Sequence, residues 1–353
     1  MDEDLAANSE ASIQDIVSNM LNLNAEGSDD EDDGECEKKS VSTSDAFKAI
    51  DDLGWFFFTN SEAADEHIKA IRDLEKHQNY VYTFQDYKET ILEKIRDFDR
   101  ISGVKFHRFS ALNKFMKGLR PGEITILTGH TGLGKTTFMS EYSLDLIEQG
   151  VETLWVNLEV PNSNLIITMM TQFARKSLLG NVEEYEKVST DFNCLPIFFL
   201  DLNNEKLTLD EVLNVIGNAV KSRSVSHLVV DNMQCFLNLA NVTFSGFDYL
   251  KTQDQIFGSL RDIAAKNNCH VTIVIHPRKE STIKELHNSS IAGTGMAIQQ
   301  SHNILIMQST SDGSARYLEL TKNRYDGDKG TVSLEFQKST LTYTMQVQET
   351  LDL

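Results

Sequence analysis

The chain has 353 residues, which suits one large α/β domain with an appendage or two smaller domains. Its apolar content of 40% supports a real core, yet no run approaches the ~18 consecutive apolar residues of a membrane-spanning helix. Four scattered cysteines (Cys36, Cys194, Cys235 and Cys269) include no C-x-x-C pair, which argues against a zinc module or disulfide framework and for a reducing compartment.

The net charge of −20 is unfavourable for nucleic acid, but it is unevenly spread. Residues 1–40 hold thirteen acidic residues against Lys38 and Lys39. They account for −11, leaving −9 over the other 313 residues, so a local basic surface for DNA stays open. The start, Met1-Asp2-Glu3-Asp4, matches neither a secretory signal nor an Arg-rich mitochondrial presequence.

Residues 1–44 read as a disordered acidic tail. Within it Ile13, Ile16, Val17, Met20, Leu21 and Leu23 have near-helical spacing. They form either a short helix for a protein partner or a transient amphipathic stretch. Residues 45–82 include Trp55-Phe56-Phe57-Phe58, too apolar for a linker, and read as a small element of unspecified fold. Residues 83–103 form a linker segment. A helix is expected over 83–100, capped by Thr83, with Phe84, Tyr87, Ile91, Ile95 and Phe98 on one face. From 104 to 345 strands and helices alternate, and 346–353 are a C-terminal tail. Strands are expected at 124–128, 153–158, 196–200, 227–231, 271–276, 303–308, 317–321 and 331–335. Several are continuous apolar runs, as in a mostly parallel sheet covered by helices on both faces. The last strands have short connections and suit an antiparallel extension.

Residues 129–136, Gly129-His130-Thr131-Gly132-Leu133-Gly134-Lys135-Thr136, follow an apolar strand and precede a helical stretch starting at Thr137. This is a complete G-x-x-x-x-G-K-T phosphate loop in its strand–loop–helix context. Glycines let backbone amides approach phosphates, and the helix amino end favours anions. Lys135 is expected on the β- and γ-phosphates of ATP or another NTP, and Thr136 on Mg²⁺.

Ligands of open α/β sheets bind beyond the carboxyl ends of the strands, so polar residues just past each apolar run are candidates. Glu159 follows Leu154 to Leu158 and suits a base that deprotonates water attacking the γ-phosphate; a surface or capping glutamate is the plainer alternative. Asp231 ends His227-Leu228-Val229-Val230 and suits a Mg²⁺ carboxylate, against a strand-end turn aspartate. His276 follows Val271 to Ile275 and suits a sensor of the γ-phosphate, with Arg278, Lys279 and Lys284 behind it as candidates for DNA phosphates. Lys322 and Arg324 follow a late strand and suit an arginine finger supplied to a neighbour, against a solvated surface pair. Ser290 to Gln300 is glycine-rich and then helical. It reads either as a helix-cap loop or as a loop that grips single-stranded DNA through Gly293, Thr294, Gly295 and Gln299.

Asn-Leu-Glu159-Val, Val-Val-Asp231-Asn, Val-Ile-His276-Pro-Arg-Lys-Glu, Asn267-Asn-Cys-His-Val271 and Lys322-Asn-Arg-Tyr-Asp-Gly-Asp328 together resemble the Twinkle family of mitochondrial replicative DNA helicases. More distantly they are similar to the helicase halves of phage primase-helicases and to bacterial replicative helicases. The likeness covers about 80–345. It implies a RecA-like core in a ring of six or seven subunits. It also implies NTP-driven 5′-to-3′ movement on single-stranded DNA, unwinding of forked duplex, and a mitochondrial setting, with a nuclear or cytoplasmic one as the alternative that the acidic start leaves open. On this resemblance Glu159 is the base, Asp231 with Thr136 binds Mg²⁺, His276 senses the γ-phosphate, and Arg324, assisted by Lys322, is the finger in trans. The helix at 83–100 corresponds to a linker helix that docks on an adjacent subunit. Thr294 stands in place of the family's serine, Met296 where a basic residue is common, and His302 in place of an aspartate. Two other classes compete with the helicase: an NTP-binding oligomeric scaffold that has lost unwinding, and a strand-annealing or strand-exchange ATPase on the same fold.

Overall fold

The computed structural model describes residues 83–96, 102–202, 207–239, 247–278, 285–293, 295–310 and 312–347. The expectations for the acidic tail, for residues 45–82, for Lys279, Lys284 and Thr294, and for residues 97–100 and 348–353 lie outside these. Two compact units divide between Tyr87 and Lys88. Helix α1, Phe84–Arg96, crosses that division. Its amino end follows from the Thr83-Phe-Gln-Asp86 pattern: the Asp86 carboxylate accepts from the Thr83 backbone N–H at 2.6 Å and from its hydroxyl at 2.7 Å. Phe84, Ile91 and Ile95 lie exposed on it.

Nine strands build the sheet of the second unit: β1 Ile124–Gly129, β2 Thr153–Asn157, β3 Ile197–Phe199, β4 His227–Asp231, β5 His270–Val274, β6 Asn303–Ser309, β7 Arg316–Asn323, β8 Gly330–Gln337 and β9 Thr342–Val347. Their spatial order is β3-β2-β4-β5-β1-β6-β7-β8-β9. Every pairing from β3 to β6 is parallel, and β6 to β9 are antiparallel. This is the expected α/β, RecA-like core. The eight strands read from the sequence are present, with ends moved by at most two residues. β9 was not among them: its half-exposed Thr-Tyr-Thr-Met-Gln-Val has no continuous apolar run, because only an edge position awaits it.

The parallel strands are apolar throughout because both faces are covered. Leu127, Trp155, Val229, Val274 and Leu305 pack on one face with Phe109, Phe138, Tyr142 and Met169. Ile126, Val156, Leu228, Ile273 and Ile304 pack on the other with Ile216, Phe236 and Phe257. The covering helices include α2 Lys135–Ile147, α3 Asn162–Ala174, α4 Leu209–Ser222 and α5 Phe247–Asn267. Asn268 takes the left-handed conformation (φ 50°) directly after α5, a helix stop that asparagine tolerates better than most residues. Among the described residues no helix is long and apolar enough to cross a membrane.

Candidate nucleotide site

The parallel register aligns the carboxyl ends of β1, β2, β4 and β5 along one edge. Asn157 lies beside Asp231, and Leu127 beside Val274. The loop of residues 129–136 leaves β1 at this edge. Gly132 and Gly134 have φ of 83° and 91°, the left-handed region that favours glycine. At Gly134 a Cβ would also lie 2.5 Å from the Tyr343 hydroxyl, so only glycine fits. No side chain caps α2, which leaves its first amides for an anion. The buried Lys135 ammonium donates to the carbonyls of Gly129 at 2.8 Å and His130 at 3.2 Å, and burial lowers its pKa. His130, Thr131 and Leu133 complete the loop, and the helix begins at Lys135, two residues earlier than expected, so Thr137 lies within its first turn.

Thr136 Oγ1 donates to Asp231 Oδ2 at 2.6 Å. Burial raises the Asp231 carboxyl to about 6; the Thr136 hydrogen bond opposes the shift, the charge of Glu159 adds to it, and that of Lys135 opposes it. Among the described residues no group of three or more His, Cys, Asp or Glu is placed to hold a metal alone. One hydroxyl and one carboxylate beside a phosphate loop fit Mg²⁺, which draws its remaining ligands from phosphate and water. The donor set therefore fits an NTP with Mg²⁺.

Glu159 sits past β2, about half exposed. Asn232, directly after Asp231, joins Glu159 to the third strand end. Asn232 Nδ2 donates to Glu159 Oε2 and lies 3.1 Å from His276 Nε2, which is 3.8 Å from Glu159 Oε2. Burial and Lys135 lower the His276 pKa, against Glu159, and its buried Nδ1 has no partner. Lys135, Thr136, Glu159, Asp231 and His276 are thus brought together. Asn232 was not singled out by sequence; its place in Val-Val-Asp-Asn was the available signal.

Arg316 and Tyr343 also escaped the sequence reading. Tyr343 donates to the Gly134 carbonyl at 3.4 Å, and an Arg316 Nη lies 3.8 Å from where a Gly134 Cβ would stand. Buried groups hold Tyr343 in place. Its N–H donates to Glu141 Oε2 at 2.6 Å. Gln172 donates to the carbonyls of Thr137 at 2.9 Å and Leu341 at 2.8 Å, and accepts from Ser140 at 2.9 Å. Burial raises the Glu141 pKa to about 7, against the Tyr343 N–H and Arg108.

Lys322 and Arg324 are not in this cluster. The Arg324 N–H donates to the His302 carbonyl, and the His302 N–H to Ile124 O, level with the start of β1. The phosphate loop leaves β1 five residues later, roughly 17 Å at strand rise. The pair instead grips the carboxyl end of a short helix, α6 Gly295–Gln300. Lys322 donates to the carbonyls of Ile298 and Gln299, and Arg324 to that of Gln299, where the helix dipole favours cations. Burial, then Arg324, pushes Lys322 down to about 8. The turn behind them explains its motif. Asn323 accepts from Tyr325 N–H at 2.9 Å, Gly327 has φ 82°, Lys117 pairs with Asp328 at 2.8 Å, and Arg120 stacks on Tyr325 at 4.1 Å.

The residues read as DNA-facing have other partners where they are described. The Arg278 guanidinium donates to the carbonyls of Ile291 at 3.2 Å and Gly293 at 2.7 Å. Gly293 is buried, Gly295 opens α6, and the Gln299 carbonyl is taken by the cationic pair. His302 accepts the Ile124 N–H on Nδ1 at 3.0 Å, a structural role.

A family model described as an AAA domain matches residues 92–282, more than half of the chain. The chain belongs to that family. This AAA-domain chain is also 24% identical over 298 residues to the replicative DNA helicase DnaB of Mycoplasma genitalium, covering 75% of this chain and 61% of DnaB. It is 22% identical over 253 residues to the DNA repair protein RadA of Streptococcus pyogenes, covering 70% of this chain and 47% of RadA. It thus spans about three fifths and about half of these relatives. Its fold is that of a solved ATPase domain (TM-score 0.62, 17% identity, covering 75% of this chain and 99% of that one). The same holds for a DnaB-like replicative helicase studied with primase (TM-score 0.58, 15% identity, covering 85% and 76%). The family implies use of a nucleotide with Mg²⁺.

Proposed function

We propose that this AAA-domain chain is an NTP hydrolase coupled to DNA unwinding, working as a ring that moves 5′ to 3′ on single-stranded DNA in mitochondrial DNA replication. Bound Mg²⁺ supplies charge stabilisation at the phosphates. Lys135 and the loop amides hold the β- and γ-phosphates, Thr136 and Asp231 hold the metal, and Glu159 orients and deprotonates the attacking water. His276, aligned by Asn232, registers whether a γ-phosphate is present.

The observation that carries this reading is the division of the site between two sheet edges. Phosphate loop, base and metal carboxylate occupy the carboxyl edge, whereas Arg324 and Lys322 stand at the amino edge, beyond reach of their own loop. A cation there completes a phosphate site only when offered to another copy, which is the logic of a ring. The likeness to DnaB supports DNA unwinding as the output; the likeness to RadA supports a DNA-repair ATPase that anneals or exchanges strands as the second reading we carry from the sequence.

The test compares wild type, Lys135→Ala and Arg324→Ala in ATP hydrolysis, with and without single-stranded DNA, and in unwinding of a forked duplex. Unwinding by wild type and by neither variant is expected, with Arg324→Ala inhibiting wild type when mixed. Oligomeric hydrolysis indifferent to single-stranded DNA would overturn the helicase reading in favour of a scaffold. Annealing or exchange of strands without unwinding of forks would favour the repair reading.

A further inference from the structure

One connection is used by none of the roles above. The turn Ile291–Gly293 lies between the strand end that carries His276 and the helix α6 that carries the cationic pair. Its backbone is fastened to the strand end: the Ala292 N–H donates to the His276 carbonyl at 3.3 Å, and the Arg278 N–H to Ser290 O at 2.8 Å. Two side chains close the remaining carbonyls. Arg278 spans those of Ile291 and Gly293, and Gln253, on α5 and 1% exposed, donates to that of Ala292 at 2.7 Å. Gly293 has φ 115°, and a Cβ there would collide with the Gln253 amide. The turn is therefore pressed onto Gln253 with no slack. Two residues later α6 begins, and its last carbonyls hold Lys322 and Arg324.

We propose that Gln253 and Arg278 are positioning residues: they latch the Ile291–Gly293 turn to the His276 strand end and thereby set where α6 presents Arg324 to a neighbouring copy. The inference rests on the trans role of Arg324 in the reading above. It adds that a subunit's own nucleotide site governs the finger it offers. Arg278 then acts through its two-carbonyl span and not through its charge toward DNA. A lysine keeps the charge but has no fork for two divergent acceptors. Methionine in place of Gln253 keeps the shape and removes the donor.

The experiment is complementation by mixing subunits without DNA. Gln253→Met and Arg278→Lys are each expected to hydrolyse ATP at least tenfold more slowly than wild type, with unchanged affinity for a fluorescent ATP analogue. Each is then mixed with Lys135→Ala, which has a dead phosphate loop but an intact finger. Lys135→Ala subunits supply Arg324 to the intact loops of the latch variants. Hydrolysis by the mixture should therefore rise severalfold above the mean of the two separate preparations. Arg324→Ala mixed with Lys135→Ala is the reference. A rise in the reference without a rise for the latch variants places their defect in their own site and overturns the latch. Wild-type hydrolysis by Arg278→Lys, or loss of nucleotide affinity in both variants, overturns it too. No rise in the reference removes the trans finger itself, and the latch falls with it. Because Arg278 is exposed, Arg278→Lys carries the test should Gln253→Met fail to fold.

Discussion

The two edges of the parallel sheet differ in how their polar groups are satisfied. At the carboxyl edge, titratable side chains face neutral polar ones: Asp231 with Thr136, and Glu159 and His276 with Asn232. The shifts of Lys135, Asp231 and His276 arise first from burial, so these groups are held away from water without full neutralisation. At the amino edge the polar groups are spent on backbone. His270 bonds to Arg120 O at 2.7 Å, His302 to Ile124 N–H, and Lys322 and Arg324 to helix carbonyls. The first edge is arranged to receive a charged ligand. The second is a finished structure whose exposed product is a guanidinium. Polar side chains that face one another beside the phosphate loop, and not shifted titration alone, set the first edge apart, since Lys322 and His270 at the second are shifted too.

This contrast is broken or sharpened most strongly at its two cations. Lys135→Ala and Arg324→Ala should each lower ATP hydrolysis by about a thousandfold. Only Lys135→Ala should also weaken binding of a fluorescent nucleotide; equal weakening by both would place them in one cis site. Next in size, Glu159→Gln should lower kcat by about a hundredfold while leaving nucleotide affinity in place, as expected of a base acting on water. An unchanged kcat would assign Glu159 to the surface.

A smaller effect is expected where the hairpin of β8 and β9 leans on the phosphate loop. Gln172→Met removes the donors to Thr137 and Leu341 and should raise the KM for ATP by about tenfold, worth about 1.4 kcal/mol. A change confined to kcat would refute positioning of Tyr343. The smallest is a stability effect at the amino edge. Burial, followed by other contributions, lowers the His270 pKa from 6.5 to about 4. A histidine depressed on folding adds stability that is present above pH 6.5 and lost as pH falls toward 4. The unfolding midpoint should therefore drop between about pH 7 and about pH 4.5, and less steeply in His270→Gln. Equal slopes would show that His270 is not the group being titrated.

Much of the carboxyl edge was legible in the residues themselves. A glycine loop needs particular residue types at particular spacing. A strand buried on both faces must be apolar to its end, so the first polar residue after it, as at Glu159, Asp231 and His276, stands at the edge where ligands bind. Asn232 was passed over because a neighbour of an aspartate looks like turn chemistry until both of its partners are in place.

Local sequence therefore determined the nucleotide loop, the order of the strands along the chain and the polar residues at their ends, since each depends on backbone geometry within a few residues. The tertiary structure alone decided who faces whom. Arg316 and Tyr343 reach Gly134 across roughly two hundred positions. Arg278, basic and set in a loop, turned inward to hold Ile291 and Gly293. Arg324 came to the opposite edge because β7 runs antiparallel to β6, which returns the chain to the level of Ile124. Strand direction and sheet order are long-range choices, fixed by packing over the whole sheet, and no short stretch of sequence carries them.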